Sequence, residues 1–277
     1  MRAGGADVSV DGELVRIRAT SIVNATGPWV DRVRLLEDER ASPSVRLSKG
    51  VDVIVDGGSD WQAAVTIPHD RVRVSFAVPW EGTLLLGTTD TPHEGAPEEA
   101  VVTDEDVRTV LDEAGVAIGA LGEVIRTFSG LRVLPLGRGA TAGARRETVF
   151  SRGRAGMLSV AGGKLTTYRR IALGALAQLG VQNLDRRPRP LPGASGLDRI
   201  AWPAELERAA RAHLLHLYGS LASEVLALAE EDPSLLEPLA SGRPDVRAQD
   251  RYAREREWAR TDEDVLRRRT TAWLAQS

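Results

Sequence analysis

The chain has 277 residues, enough for about two domains, with 42% hydrophobic and 27% charged residues, the proportions of a globular fold. A formal net charge of −3 provides no basic field for nucleic acid, and the absence of cysteine excludes disulfides, thiolate-held clusters and thiol catalysis, as expected in a reducing, cytoplasmic compartment. No apolar run approaches the ~20 residues of a membrane span.

Residues 8–10 and 14–18 alternate apolar and polar around Asp11-Gly12, a hairpin signal. A strand over 20–23 runs into Asn24-Ala25-Thr26-Gly27, and residues 29–36 predict a short helix. Residues 45–47 and 51–55 read as two strands separated by Lys49-Gly50. Short β-branched runs at 63–68, 72–80 and 83–87 predict an antiparallel sheet with one solvated face. Thr103, followed by Asp104, Glu105 and Asp106, starts a helix that carries Val107, Val110 and Leu111 on one side. A strand follows at 124–134, then a Gly-rich polar loop at 138–146.

Residues 157–161 read as a strand, Gly162-Gly163 as a tight turn, and a helix begins near Leu165. Two residues without side chains let a backbone approach a ligand closely, and a helix start offers unpaired N–H groups with Lys164 beside them. Residues 191–196, Leu-Pro-Gly-Ala-Ser-Gly, form a linker. Helices are predicted beyond it at 203–217, 221–230, 249–259 and 262–274, the last capped by Asp262. Of four histidines, His213 and His216 lie one turn apart without a third ligand, which predicts an exposed helix face rather than a metal site; Arg267-Arg268-Arg269 reads as a solvated face. His93 reads as a loop residue beside a strand-end turn at Gly87-Thr88-Thr89-Asp90.

Five segments then occur in a telling order: Asn-Ala-Thr-Gly-Pro-Trp at 24–29, Lys49-Gly50, Gly-Thr-Thr-Asp at 87–90, Ser-Gly-Leu-Arg-Val-Leu-Pro at 129–135 and Gly-Gly-Lys-Leu-Thr-Thr-Tyr-Arg at 162–169. Together they resemble the FAD-dependent, respiratory, quinone-linked glycerol-3-phosphate dehydrogenases, from about Ile22 onward. The eight-residue segment is specific to that family; Asn-Ala-Thr-Gly is shared with other amino-acid-oxidase-like flavoenzymes. The family opens with a strand, a Gly-x-Gly-x-x-Gly turn and a helix that holds the FAD pyrophosphate, and no such fingerprint follows a strand near this N-terminus. The resemblance therefore implies the C-terminal portion of such an enzyme.

The implied fold class is α+β: the remainder of an FAD-binding, glutathione-reductase-like or amino-acid-oxidase-like domain with an antiparallel substrate-domain sheet over 1–190, then a small helical domain over 191–277. The implied reaction oxidises sn-glycerol 3-phosphate to dihydroxyacetone phosphate, with FAD as cofactor and quinone as electron acceptor. A homodimer and a peripheral membrane contact accompany the same reading. Ala25, Thr26, Gly27, Gly162, Gly163, Lys164, Leu165, Thr166 and Thr167 would line the flavin. Arg132, Arg146, Lys164 and Lys49 would bind the substrate, and Arg132, Lys164 and Asp52 would act in catalysis, since a guanidinium suits a phosphate and the alcohol proton needs an acceptor. Arg132 precedes Val133 where the family often has proline, and Asp52 stands where members commonly have histidine. Two alternatives remain open here: another flavoenzyme acting on a small anion, and a non-catalytic remnant unable to hold FAD alone.

Overall fold

The computed structural model describes residues 4–58, 60–70, 73–136 and 147–275, and divides into two compact units, Met1–Arg186 and Arg187–Ser277. The predicted loop at 138–146, with Arg146, lies outside the described residues.

In the first unit, β1 (Ala6–Val10) and β2 (Glu13–Ile17) form a two-stranded hairpin. Its turn residues, Asp11 at φ 50° and Gly12 at φ 87°, have the two left-handed conformations of a type I′ turn. A six-stranded antiparallel sheet holds most of the core. Its central strand, β4 (Val45–Val55), pairs along its whole length with β9 (Val124–Pro135). Along its other edge lie β8 (Thr91–His93) and then β7 (Thr83–Gly87); β6 (Val74–Trp80) and β5 (Val65–Pro68) extend the sheet beyond β7.

Alternation along β4 sends Val53 and Val55 to one face, where they pack with Leu84, Leu86, Val110 and Ala114. The last two belong to α2 (Asp104–Ile118), whose start is fixed by reciprocal bonds: Thr103 Oγ1 accepts from Asp106 N, and Asp106 accepts from Thr103 N. Sequence reasoning breaks β4 at Lys49-Gly50; the structure carries one strand through it. Gly50 pairs with Gly130, so two residues without side chains face each other across the ladder, and full-length pairing with β9 outweighs the local weakness of glycine.

A second, three-stranded sheet runs β10 (Thr148–Arg152), β11 (Leu158–Gly162), β3 (Val23–Asn24). The pairing of β11 with β3 is parallel. It is backed by α3 (Tyr168–Gln178), with Leu158, Val160 and Ala175 in a small core. A turn of 3-10 helix at Gly27–Trp29 leads from β3 into α1 (Val30–Glu37).

The second unit is helical: α4 (Arg208–Tyr218), α5 (Ala222–Ala227) and α6 (Arg247–Arg256) enclose Leu206, Leu214, Val225 and Val246. The helix predicted from 203 starts later, because the chain first makes a turn in which Leu206 N donates to Pro203 O. The predicted last helix becomes a short π-helical turn, Asp264–Arg269, and a 3-10 turn, Ala272–Leu274. Asp262 does not cap it: Thr261 Oγ1 accepts from Asp264 N at 3.1 Å while Asp264 accepts from Thr261 N at 2.9 Å, a reciprocal pair that closes its start.

His213 corrects a sequence expectation as well. His216 is exposed, but His213 is buried, with Nε2 2.9 Å from Oδ1 of the fully buried Asp245. Burial would push the Asp245 carboxyl up, but the bonds from His213 and from Thr271 N and Oγ1 outweigh it and hold the group below the ordinary carboxylate range.

Candidate active site

Parallel pairing of β3 with β11 puts the carboxyl ends of both strands on one edge, the usual place for a ligand in a sheet of this kind. Ala25, Thr26 and Gly27 leave the end of β3, and the turn at Gly162-Gly163 leaves the end of β11. Asn24 fixes the first of these. Its buried amide donates to Val30 O at 2.9 Å and to Ser159 Oγ at 3.2 Å, while its Oδ1 accepts from Thr26 Oγ1 at 2.7 Å. One side chain thus ties strand, neighbouring strand and helix α1 together.

The second turn needs glycine at both positions. Gly162 and Gly163 have φ values of 73° and 85°, and a Cβ on Gly163 would stand 2.5 Å from Ile171 Cδ1. Thr167 N and Oγ1 both donate to Lys164 O at 2.9 Å, closing the turn that starts the helix. Leu165 is 88% exposed, and Lys164 and Thr166 are exposed beside it. A cleft of about 380 Å³ lies between this turn and strand β9, lined by Leu131, Arg132, Val133 and residues 162–166.

Arg132 is opposite Ser48 in the β4–β9 ladder, so Ser48, Gly50 and Asp52 share a sheet face with Arg132, Gly130 and Phe128. This is the face away from α2. The Arg132 guanidinium donates from Nη1 to Thr89 O and from Nη2 to Thr88 Oγ1, both at 3.0 Å, and lies 3.9 Å from Asp90 Oδ1. Asp90 in turn accepts a hydrogen bond from Ser48 Oγ. Asp52 pairs with Gly87 in the β4–β7 ladder. Burial pushes its carboxyl up to about 6, against the pull of the Arg132 charge. A carboxyl poised near neutrality beside a held guanidinium can accept a proton while the cation holds an anion.

Lys49 is placed elsewhere. It lies one residue out of phase with Ser48 and Gly50, on the α2 face, where Nζ is 2.6 Å from Asp106 Oδ2 and 3.2 Å from Val101 O. Burial would raise the Asp106 carboxyl, but Lys49 and Thr103 together hold it below its ordinary range. The structure therefore gathers Arg132, Lys164 and residues 162–166 around the cleft, and Asp52 on the sheet face of Arg132. Ala25–Gly27 sit at the neighbouring strand end, and Lys49 is directed away. His93 ends β8, with its Nε2 2.9 Å from Ala96 O. Sequence reasoning gave no role to Thr88 or Thr89 as the partners of Arg132, because those contacts depend on where β7 and β8 divide one edge of β4.

The residues present fit the ring end of a flavin: two strand ends carry small side chains and open backbone, and a cleft with cations adjoins them. The pyrophosphate end finds no Gly-x-Gly-x-x-Gly strand–turn–helix among the described residues.

Comparison with known proteins identifies the family. A family model described as FAD dependent oxidoreductase matches residues 2–169, and one described as the C-terminal domain of alpha-glycerophosphate oxidase matches residues 186–276. Glycerol-3-phosphate dehydrogenase 2 of Mycobacterium tuberculosis is 33% identical over 279 residues, covering 94% of this chain and 48% of that protein. Glycerol-3-phosphate dehydrogenase of Synechocystis is 31% identical, covering 90% of this chain and 50% of that protein. The crystal structure of the glycerol-3-phosphate dehydrogenase from Bacillus halodurans complexed with FAD superposes with a TM-score of 0.70 at 28% identity, over 98% of this chain and 60% of that one. The chain spans about half the length of the curated relatives it matches.

Proposed function

Because the chain belongs to the FAD-dependent oxidoreductases, in their glycerol-3-phosphate dehydrogenase branch, we propose that it carries the substrate-handling part of an oxidation of sn-glycerol 3-phosphate to dihydroxyacetone phosphate. The observation that carries the proposal is the cleft lined by Arg132, Lys164 and the 162–166 turn at the end of β11, with the parallel partner β3 ending beside it at residues 25–27. FAD, when bound, supplies the two-electron acceptor for the hydrogen on C2. Ala25, Thr26, Gly27 and residues 162–167 hold its ring. Arg132 binds the substrate oxygens as a planar, permanently charged fork, Lys164 adds a second cation at the cleft, and a carboxylate oxygen of Asp52 receives the alcohol proton. Arg146 completes the phosphate grip in this reading, and Lys49 acts as structural support for α2. Reoxidation by a quinone, a homodimeric state and peripheral attachment to a membrane belong to the same proposal, as does a domain boundary at the 191–196 linker.

Purification of the 277-residue chain, desalting and a flavin absorbance spectrum test it. Where the chain carries flavin, bleaching by glycerol 3-phosphate in the unaltered chain and not in Arg132→Met is the expected result; bleaching unaffected by Arg132→Met refutes the assignment of Arg132. A second reading is that the chain holds FAD only together with a complementary polypeptide bearing the dinucleotide fingerprint. It is favoured by the exposed apolar face of the β1–β2 hairpin, with Val8, Val10, Val15 and Ile17, and by Val23, exposed on edge strand β3. A colourless chain that gains flavin when such a polypeptide is supplied supports that reading.

A further inference from the structure

We propose that Thr88 and Gly50 are positioning residues for Arg132: the Thr88-Thr89 segment clamps the guanidinium in one orientation, and the missing side chain at Gly50 makes the space that orientation needs. The inference rests on the reading of Arg132 as a substrate-binding cation. An arginine on an open sheet face has a long side chain with many rotamers, and ordering it at the moment of binding costs affinity. Here the ordering is built in. Nη1 is held by a backbone carbonyl, Thr89 O, and Nη2 by a hydroxyl, Thr88 Oγ1, each at 3.0 Å. Acceptors on consecutive residues fix the plane of the fork as well as its position.

The loop that presents these acceptors is itself tied to β4. Val51 N donates to Thr89 Oγ1 at 3.0 Å, Thr89 N donates to Val51 O at 3.3 Å, and Ser48 Oγ donates to Asp90. The clamp therefore hangs on the central strand of the sheet rather than on a free loop. Gly50 lies beneath it. A Cβ there would stand 2.6 Å from Arg132 Nη2 and 2.6 Å from Thr88 Oγ1, that is, in the hydrogen bond itself. The first atom ends a long flexible side chain and the second is a hydroxyl that turns about χ1, so an alanine displaces the guanidinium and the hydroxyl. The conformation of Gly50 does not demand glycine, since it has no positive φ; the requirement is space for Arg132.

Asp52, two residues along the same face, reports on the clamp independently of any ligand, because the Arg132 charge pulls its carboxyl down against the effect of burial. Carbon-13 NMR of the aspartate carboxyls in the 277-residue chain gives its midpoint, expected near 6 in the unaltered protein. Thr88→Val and Gly50→Ala should each raise that midpoint, in the direction of Arg132→Met, while Thr88→Ser, which keeps the acceptor, should leave it in place. If Arg132→Met raises the midpoint but Thr88→Val and Gly50→Ala do not, the guanidinium holds its place without them and the proposal falls. It falls also if Arg132→Met has no effect. Calorimetric titration with sn-glycerol 3-phosphate separates the clamp from the functional reading. Arg132→Met should weaken binding by roughly a hundredfold, and Thr88→Val by roughly threefold to tenfold, the size of one hydrogen bond. Undiminished affinity in Arg132→Met would refute the substrate role while leaving the clamp, as read by Asp52, intact.

Discussion

Replacement of Asp52 by asparagine tests the electrostatics of the sheet face directly. The carboxyl moves from 3.8 to about 6 on folding because burial disfavours its charged form more than Arg132 favours it. The folded state thus binds the proton more tightly than the unfolded state. Stability from this group is fully present below about pH 4 and is lost as the pH rises through about 6. At about 1.36 kcal/mol per pH unit the displacement corresponds to about 3 kcal/mol, and solvent access to a half-buried side chain reduces this to roughly 1–2 kcal/mol. Asp52→Asn should therefore gain roughly 1–2 kcal/mol over the unaltered protein at pH 8 and nothing at pH 4. Urea unfolding midpoints for both proteins, at unit steps from pH 4 to pH 8 and read on the first unit, supply the measurement. A stability difference that stays constant across the range, or one that grows as the pH falls, would refute the assignment of a raised carboxyl at this position.

Three further outcomes follow from the packing. Lys49→Met leaves Asp106 without its closest cation in a place where both side chains are mostly buried, so the first unit should lose roughly 3 kcal/mol in urea unfolding while affinity for glycerol 3-phosphate is unchanged. His213→Ala strips a buried partner from Asp245; the second unit should lose roughly 3–5 kcal/mol, seen as a lowered melting transition of that unit, and an unchanged transition would contradict the pairing. Gly163→Ala puts a methyl group against Ile171 at a φ of 85°, and a loss of roughly 1–3 kcal/mol is expected in thermal or urea unfolding, together with loss of any retained flavin.

Local chemistry was enough to place several elements. Asp11-Gly12 can hardly be anything but a tight hairpin turn, because both residues must enter the left-handed region. Thr103 with three following acids marks the start of α2, because the cap and the dipole are satisfied within one turn. Gly162-Gly163 with Lys164 showed a close-approach turn into a helix, and the ordered motifs showed the family. These are short-range facts: each depends on groups a few bonds apart.

The rest depended on pairings between residues far apart in the sequence. Whether Lys49 faces the substrate side or α2 is decided by the phase of β4, and one residue of phase sends Nζ to Asp106 instead of to the cleft. That Arg132, Thr88, Gly50 and Asp52 meet is a consequence of β9 lying on one edge of β4 while β7 and β8 share the other. The burial of His213 likewise waits on Asp245, 32 residues further along the chain, and on Thr271, a further 26 residues on. The sequence by itself determined the family, the hairpin and glycine turns, the start of α2 and the residue types of the site. Only the tertiary structure decided which of those residues face one another, because strand register and helix docking are set by the summed burial of many side chains and not by any local motif.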